Sequence, residues 1–223
     1  MLREHEVTRA VGVEVRGVSK RLKGKTVLDQ VTASFPAMSI TGLQGPNGSG
    51  KTMLLRAIAG LISVDEGEIE VCGERITDGG AFPSDMGFLI EPLTLWDEFT
   101  GLENLELLES ISRKRDPAAP RRALMRVGLD PDDLRLLKSY SLGMRQRLSI
   151  AQAIMLAPGL LLLDEPTNAL DEDGKDLIRR ILFEERDRGA IVIVISHDRE
   201  ELARVSDLRY QMSEGRLSEV SAR

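Results

Sequence analysis

Hydrophobic residues in this chain follow two spacings. Val11-Gly12-Val13-Glu14-Val15 alternates, and Thr26-Val27-Leu28 and Val31-Thr32-Ala33-Ser34-Phe35 continue the β pattern after a turn at Lys23-Gly24. Ser39-Ile40-Thr41-Gly42-Leu43 reads as a short strand, Glu68-Ile69-Glu70-Val71-Cys72 as a half-buried one, and Met86-Gly87-Phe88-Leu89-Ile90 as a buried one. Apart from a helix at Met53–Ala59, residues up to about Ile76 predict an antiparallel sheet. Beyond Glu91-Pro92 the spacing becomes helical. Thr100-Gly101-Leu102-Glu103 forms a capping box, and Leu102, Leu105, Leu108 and Ile111 recur on one face. After a break at Asp116–Pro120, a second helix covers Pro120–Val127 and stops at Gly128; a third runs from about Met144 to Leu156.

The β character returns with Leu160-Leu161-Leu162-Leu163, a continuous apolar run typical of strands buried on both faces. A helix over Asp173–Arg186, the β-branched strand Ile191–Ile195 and a helix over Glu200–Val205 follow. The pattern predicts a single α/β domain over residues 1–223. Residues 1–91 and 159–223 form its frame, and residues 92–158 form an inserted helical lobe. Met1–Ala10 has no apolar period and reads as a frayed end.

Composition narrows the function classes. With 223 residues, 42% of them hydrophobic, the chain can bury a substantial core. Its net charge of -6, from 36 acidic and 30 basic side chains, argues against a nucleic-acid surface. Cys72 is the only cysteine, so no intrachain disulfide forms, and its place in an alternating run assigns it to packing. No secretory leader is expected at the start, and no run is long enough to cross a bilayer. The expectation is a soluble chain whose membrane role, if any, comes through a partner.

The chemistry centres on Gly45-Pro46-Asn47-Gly48-Ser49-Gly50-Lys51-Thr52, which matches the phosphate-binding P-loop pattern. Glycines there let successive N–H groups point at phosphate oxygens, Lys51 adds a charge for the β- and γ-phosphates, and Thr52 offers a hydroxyl to Mg²⁺. A glycine-rich turn is the bland alternative. The strand before the motif, the helix after it and the Lys-Thr pair in register argue against that. Asp164-Glu165 ends the four-leucine strand, where carboxylates point into the ligand crevice of an α/β sheet. Asp164 suits Mg²⁺, directly or through water, and Glu165 suits polarising an attacking water. His197 leaves the next core strand on the same edge, within reach of a γ-phosphate. Ser141, before the third lobe helix, offers an N-cap and a second anion-binding helix end.

In this order, the P-loop, Tyr140-Ser141-Leu142-Gly143-Met144 followed by Arg145-Gln146-Arg147, Asp164-Glu165, Asn168-Ala169-Leu170-Asp171 and His197 resemble the ATP-binding subunits of ABC transporters, from about Val11 to Leu217. The resemblance implies a P-loop NTPase core with an antiparallel β subdomain and an inserted helical lobe. It further implies two subunits, expected to be identical, that sandwich two ATP molecules with Mg²⁺. Each ATP is held by one subunit's P-loop and by Ser141 and Gly143 of the other. It implies too a membrane permease docked on the lobe, with the subunit peripheral at the cytoplasmic face of the cell membrane. Three features depart from the family's usual pattern. Leu22 stands where an aromatic residue usually stacks on adenine. Tyr-Ser-Leu-Gly-Met replaces the usual Leu-Ser-Gly-Gly-Gln, and Glu91 replaces the usual glutamine at the junction of frame and lobe. Leu89-Ile90-Glu91 and Tyr140–Met144 resemble the branch that exports antibiotics and bacteriocins, lantibiotic immunity transporters included. From the junction, Glu91 is expected to reach Mg²⁺ or the attacking water, with Leu95 and Trp96 facing the permease. An ABC-type ATPase acting on ribosomes or DNA without a permease is the alternative. The chain has a single cassette and neither a charged linker nor a coiled-coil insertion. A small-molecule P-loop kinase would need neither Tyr140–Met144 nor His197.

Overall fold

The computed structural model describes residues 12–76, 82–90 and 95–220. Its first sheet is antiparallel, in the order β2-β1-β4-β5, and is built from β1 (Gly12–Leu22), β2 (Lys25–Pro36), β4 (Glu66–Val71) and β5 (Glu74–Ile76). The second is mainly parallel, in the order β10-β9-β3-β8-β7-β6. It contains β3 (Ser39–Gln44), β6 (Met86–Leu89), β7 (Leu160–Asp164), β8 (Ile191–Ile195) and β9 (Leu208–Ser213), with β10 (Arg216–Glu219) added antiparallel at one edge.

The central strands are apolar on both faces because each face lines a different core. Leu160, Leu162, Ile191, Ile193 and Ile195 meet helix α1 (Lys51–Ile58) and the first sheet. Leu161, Leu163, Val192 and Val194 face the opposite core. That core is completed by α2 (Gly101–Ile111), α3 (Ala119–Arg126), α4 (Leu142–Ile154), α5 (Glu172–Asp187) and α6 (Arg199–Val205). The capping box of α2 is present: Thr100 Oγ1 accepts from the Glu103 amide at 3.2 Å, and Glu103 accepts from the Thr100 amide at 2.7 Å. Buried Asn104 bonds the Trp96 amide and carbonyl, at 2.8 and 3.0 Å, and so fixes the approach to α2. Glu185 of α5 is buried but paired with Arg126 of α3, at 2.7 Å, and with Arg188. An ion out of water needs such partners.

Several expectations change. β1 continues to Leu22, seven residues past the predicted Val15, because register shifts after Val15 and Val18 break the alternation that sequence reading follows. β2 is one strand rather than two, and left-handed Gln30 (φ 49°) marks the bulge that separates Leu28 from Val31 on the buried face. Cys72 is not a packed strand residue: β4 ends at Val71, and Cys72 lies exposed in the turn to β5 with φ 49°. β9 and β10 were not anticipated, although Leu208, Tyr210 and Met212 alternate. Tyr210 packs against Phe35 at 5.7 Å and its hydroxyl donates to the Ser34 carbonyl. The expected frayed end lies outside the described residues.

At the edge, β6 lies close against the end of α4. A Cβ on Gly87 would sit 1.8 Å from the Ala153 carbonyl oxygen. The obstructing atom is backbone, so Gly87→Ala is expected to lower the unfolding free energy by about 1–3 kcal/mol in urea titrations. Unchanged stability would show that α4 yields there.

Candidate functional site

Strand order brings the chemistry together. β8 lies between β3 and β7, all three parallel, so the loops leaving them emerge on one sheet edge. The loop after β3 is the P-loop. Gly45 (φ 149°) and Gly50 (φ 113°) are in conformations that side chains oppose. A Cβ would meet the Met212 carbonyl oxygen at 2.2 Å in the first case and that of Val27 at 2.5 Å in the second. Lys51 opens α1 and folds back over the loop, donating to the carbonyls of Gly45 at 2.8 Å and Pro46 at 3.1 Å. Thr52 Oγ1 donates to Asp164 Oδ2 at 2.6 Å, joining the start of α1 to the end of β7.

Glu165 follows with φ 51°. Its amide donates to the Ile195 carbonyl at 3.0 Å, and its Oε2 lies 2.9 Å from His197 Nδ1. The carboxylate can only accept, so Nδ1 carries the proton of that bond. Beside His197, the amides of Glu201 and Glu200 hold the exposed Asp198 carboxyl below its usual range.

A cavity of about 560 Å³ opens over this edge. Of the residues singled out in the sequence, Asn47, Gly48, Gly50, Lys51, Thr52, Asp164 and Glu165 line it. Gly45, Pro46 and Ser49 belong to the loop beneath. The Ser49 hydroxyl is buried without a hydrogen-bond partner among the described residues. His197 does not line the cavity, but its ring bonds Glu165, which does. Ser141 N-caps α4, accepting from the Met144 amide at 3.2 Å; neither it nor Gly143 lines the cavity. Leu22, at the end of β1, does not line it either. Glu91 lies outside the described residues. Leu95 packs on the outer core, while Trp96 is 40% exposed and edge-on to Phe99 at 6.4 Å.

Sequence reading had not singled out Lys25, Val27 and Met53 as site residues, yet all three line the cavity, as does Asn168 of the Asn168–Asp171 motif. Lys25 and Val27 are two apart on β2, so they share a face, and that spacing was available in the sequence. A second sheet element braces the loop from below. The Gly215 amide in the β9–β10 turn donates to the Ser49 carbonyl at 2.9 Å, and the Gly215 carbonyl accepts from the Asp29 amide at 2.9 Å.

The donors lining the cavity fit a nucleoside triphosphate: a lysine and loop amides at a helix start. The adjacent Thr52 and Asp164 oxygens are hard donors of the kind Mg²⁺ takes. The family model described as ABC transporter matches residues 28–168. The chain belongs to the ABC transporter family, as an ATP-binding subunit. An uncharacterised ABC transporter ATP-binding protein of Bacillus subtilis, YybJ, is 42% identical over 92% of this chain and 94% of its own length. The bacitracin transport ATP-binding protein BcrA of Enterococcus faecalis is 33% identical over 93% of this chain and 69% of its own. A solved ATP-binding subunit of an ABC transporter superposes with a TM-score of 0.86 at 25% identity, covering 95% of this chain and 90% of its own. The fold is accordingly a P-loop NTPase core with antiparallel β-structure and helical insertions, and the family activity is ATP hydrolysis. Among the described residues no helix is long and apolar enough to cross a membrane.

If β2 rather than Leu22 forms the wall of the cleft, two variants separate. Leu22→Ala should leave the ATP dissociation constant within about twofold, whereas Val27→Asp, which adds a like charge near the phosphates, should raise it about tenfold or more. Fluorescent nucleotide titration measures both; the reverse order would put the base against Leu22.

Proposed function

We propose that this subunit binds ATP with Mg²⁺ in the cleft over the P-loop, pairs with a second copy around the nucleotides, and hydrolyses ATP to drive a separate membrane permease. The observation that carries this reading is a division of labour. The P-loop, Asp164 and Glu165 line one cleft, while Ser141 and Gly143 stand outside it, free to serve a partner's. A solved dimeric ABC transporter cassette, at 24% identity and a TM-score of 0.84, shares the fold.

In this reading the amides of residues 47–50 and the Ser49 hydroxyl hold phosphate oxygens, and Lys51 turns from the loop carbonyls to the β- and γ-phosphates. Thr52 and Asp164 hold the metal, which supplies neutralisation of phosphate charge. Glu165 orients and polarises the attacking water, and His197 fixes the Glu165 carboxylate and contacts the γ-phosphate. Residues 92–158 act as the lobe that meets the permease, near Glu91, Leu95 and Trp96. This places the subunit at the cytoplasmic face of the membrane without spanning it. Glu91 senses lobe position at the metal or water. Export of an antibiotic, peptide or similar compound is the cargo reading, supported by residues 91 and 140–144 and by the bacitracin transport relative. Relatives named as spermidine/putrescine and sulfate/thiosulfate import ATP-binding proteins are 34–36% identical, so overall similarity does not favour that cargo.

Glu165→Gln should bind ATP with near-normal affinity yet lose about a hundredfold or more of its turnover, whereas Lys51→Ala should lose affinity itself. Steady-state hydrolysis beside nucleotide titration distinguishes them, and normal turnover in Glu165→Gln would remove the acid from the mechanism.

Because the site is shared between chains, specific activity of the isolated subunit should rise with protein concentration. A rate per subunit that stays flat across a wide dilution of demonstrably monomeric protein would contradict a shared site.

A further inference from the structure

Gln146 lies in the first turns of α4, five residues after Ser141. Its Nε2 donates to two successive carbonyls of the loop after β7, those of Glu165 at 3.2 Å and Pro166 at 3.0 Å. Glu165 sits at φ 51°, a left-handed conformation a glutamate does not hold without help. Help comes from both sides. On the amino side its N–H is tied to Ile195 of β8; on the carboxyl side its carbonyl accepts from the Asn168 amide at 3.2 Å and from Gln146. Of these bonds, the Gln146 bond alone comes from the helix that begins at Ser141. A second contact joins the same two segments. A Cβ on Gly143 would lie 3.1 Å from the Ala169 carbonyl oxygen, so the start of α4 rests directly on this loop.

The backbone angles of Glu165 set the direction of its Cα–Cβ bond, from which the side-chain torsions start, so whatever holds the Glu165 peptide fixes where its carboxylate can reach. We infer that Gln146 is a positioning residue for Glu165, linking the helix that begins at Ser141 to the acid of the same chain's cleft. The inference rests on the proposed function, in which Ser141 meets the partner's nucleotide and Glu165 acts on its own. In that dimer, seating α4 against one nucleotide sets the aim of the acid at the other. The two sites then communicate through one side chain within each subunit. Pure loop support would leave Gln146 indifferent to which residue stands at 165.

A double-mutant cycle separates the two roles. Gln146→Met keeps the length and helix preference of the side chain but removes both donors. The expected result is a fall in kcat of about ten- to a hundredfold, with the ATP dissociation constant changed less than about twofold. In the Glu165→Gln background, the same substitution should lower the single-turnover rate by less than about twofold, because there is no carboxylate left to aim. A kcat within twofold of wild type in Gln146→Met overturns the inference. So does the full loss repeated in the Glu165→Gln background. If Glu165→Gln itself turns over normally, the proposed role of Glu165 falls and the inference with it. A normal Gln146→Met beside an inactive Glu165→Gln removes the inference alone. If Gln146→Met does not fold, Gln146→Ala, which lacks the donors without adding charge, takes its place in the cycle with the same expected and overturning results.

Discussion

The bond from Thr52 Oγ1 to Asp164 Oδ2 joins groups 112 positions apart in sequence. It depends on registry more than on either residue. β3 and β7 both pair in parallel with β8, Leu43 opposite Ile195 and Asp164 opposite the same residue. A slip by one residue would turn Asp164 to the other face of the sheet. β7 and β8 are apolar on both faces, so alternation does not oppose that slip; the parallel ladder of β7 on β8 and the polar Asp164, part-exposed at the end of four buried leucines, mark the register. Strand registry thus sets the distance between two oxygens.

Around that bond, backbone geometry carries more of the site than side-chain contact does. Gly45 and Gly50 make their turns where neighbouring carbonyls leave no space for a Cβ, and Glu165 and Ala169 hold left-handed angles without being glycine. Such conformations persist only where surrounding bonds over-determine them. At Glu165 those bonds come from β8, from its own loop and from α4.

The frame was largely legible from the sequence, for identifiable reasons. Four leucines in a row and a run of β-branched residues mark strands buried on both faces, and Thr100 and Glu103 declare a helix start. The P-loop and the acids at the end of β7 could be placed on one sheet edge because both follow core strands. Legibility failed where periodicity breaks inside an element. The bulge at Gln30 splits one strand into two apparent ones, and shifts in β1 hide its second half. It failed also where contact alone decides. Lys25 and Val27 reach the cleft only because β2 passes beside the loop, and Gln146 matters only because α4 rests on the turn after Glu165. Leu22, placed by analogy of position along the chain, ends up outside the cavity wall.

The brace beneath the P-loop has a consequence for how the protein is made. Gly215 bonds the Ser49 carbonyl, and Met212 packs against Gly45, so the phosphate loop near residue 50 leans on strands far later in the sequence. Closing so long a stretch of polypeptide costs entropy that local contacts do not repay. A nascent chain still lacking β9 and β10 has its glycine loop, its lysine and its acids, but no floor under the loop. Competence for nucleotide therefore waits until the β9–β10 hairpin has been made and β9 pairs with β3. Until then the exposed side of β3 is an unpaired edge of the kind that invites wrong partners.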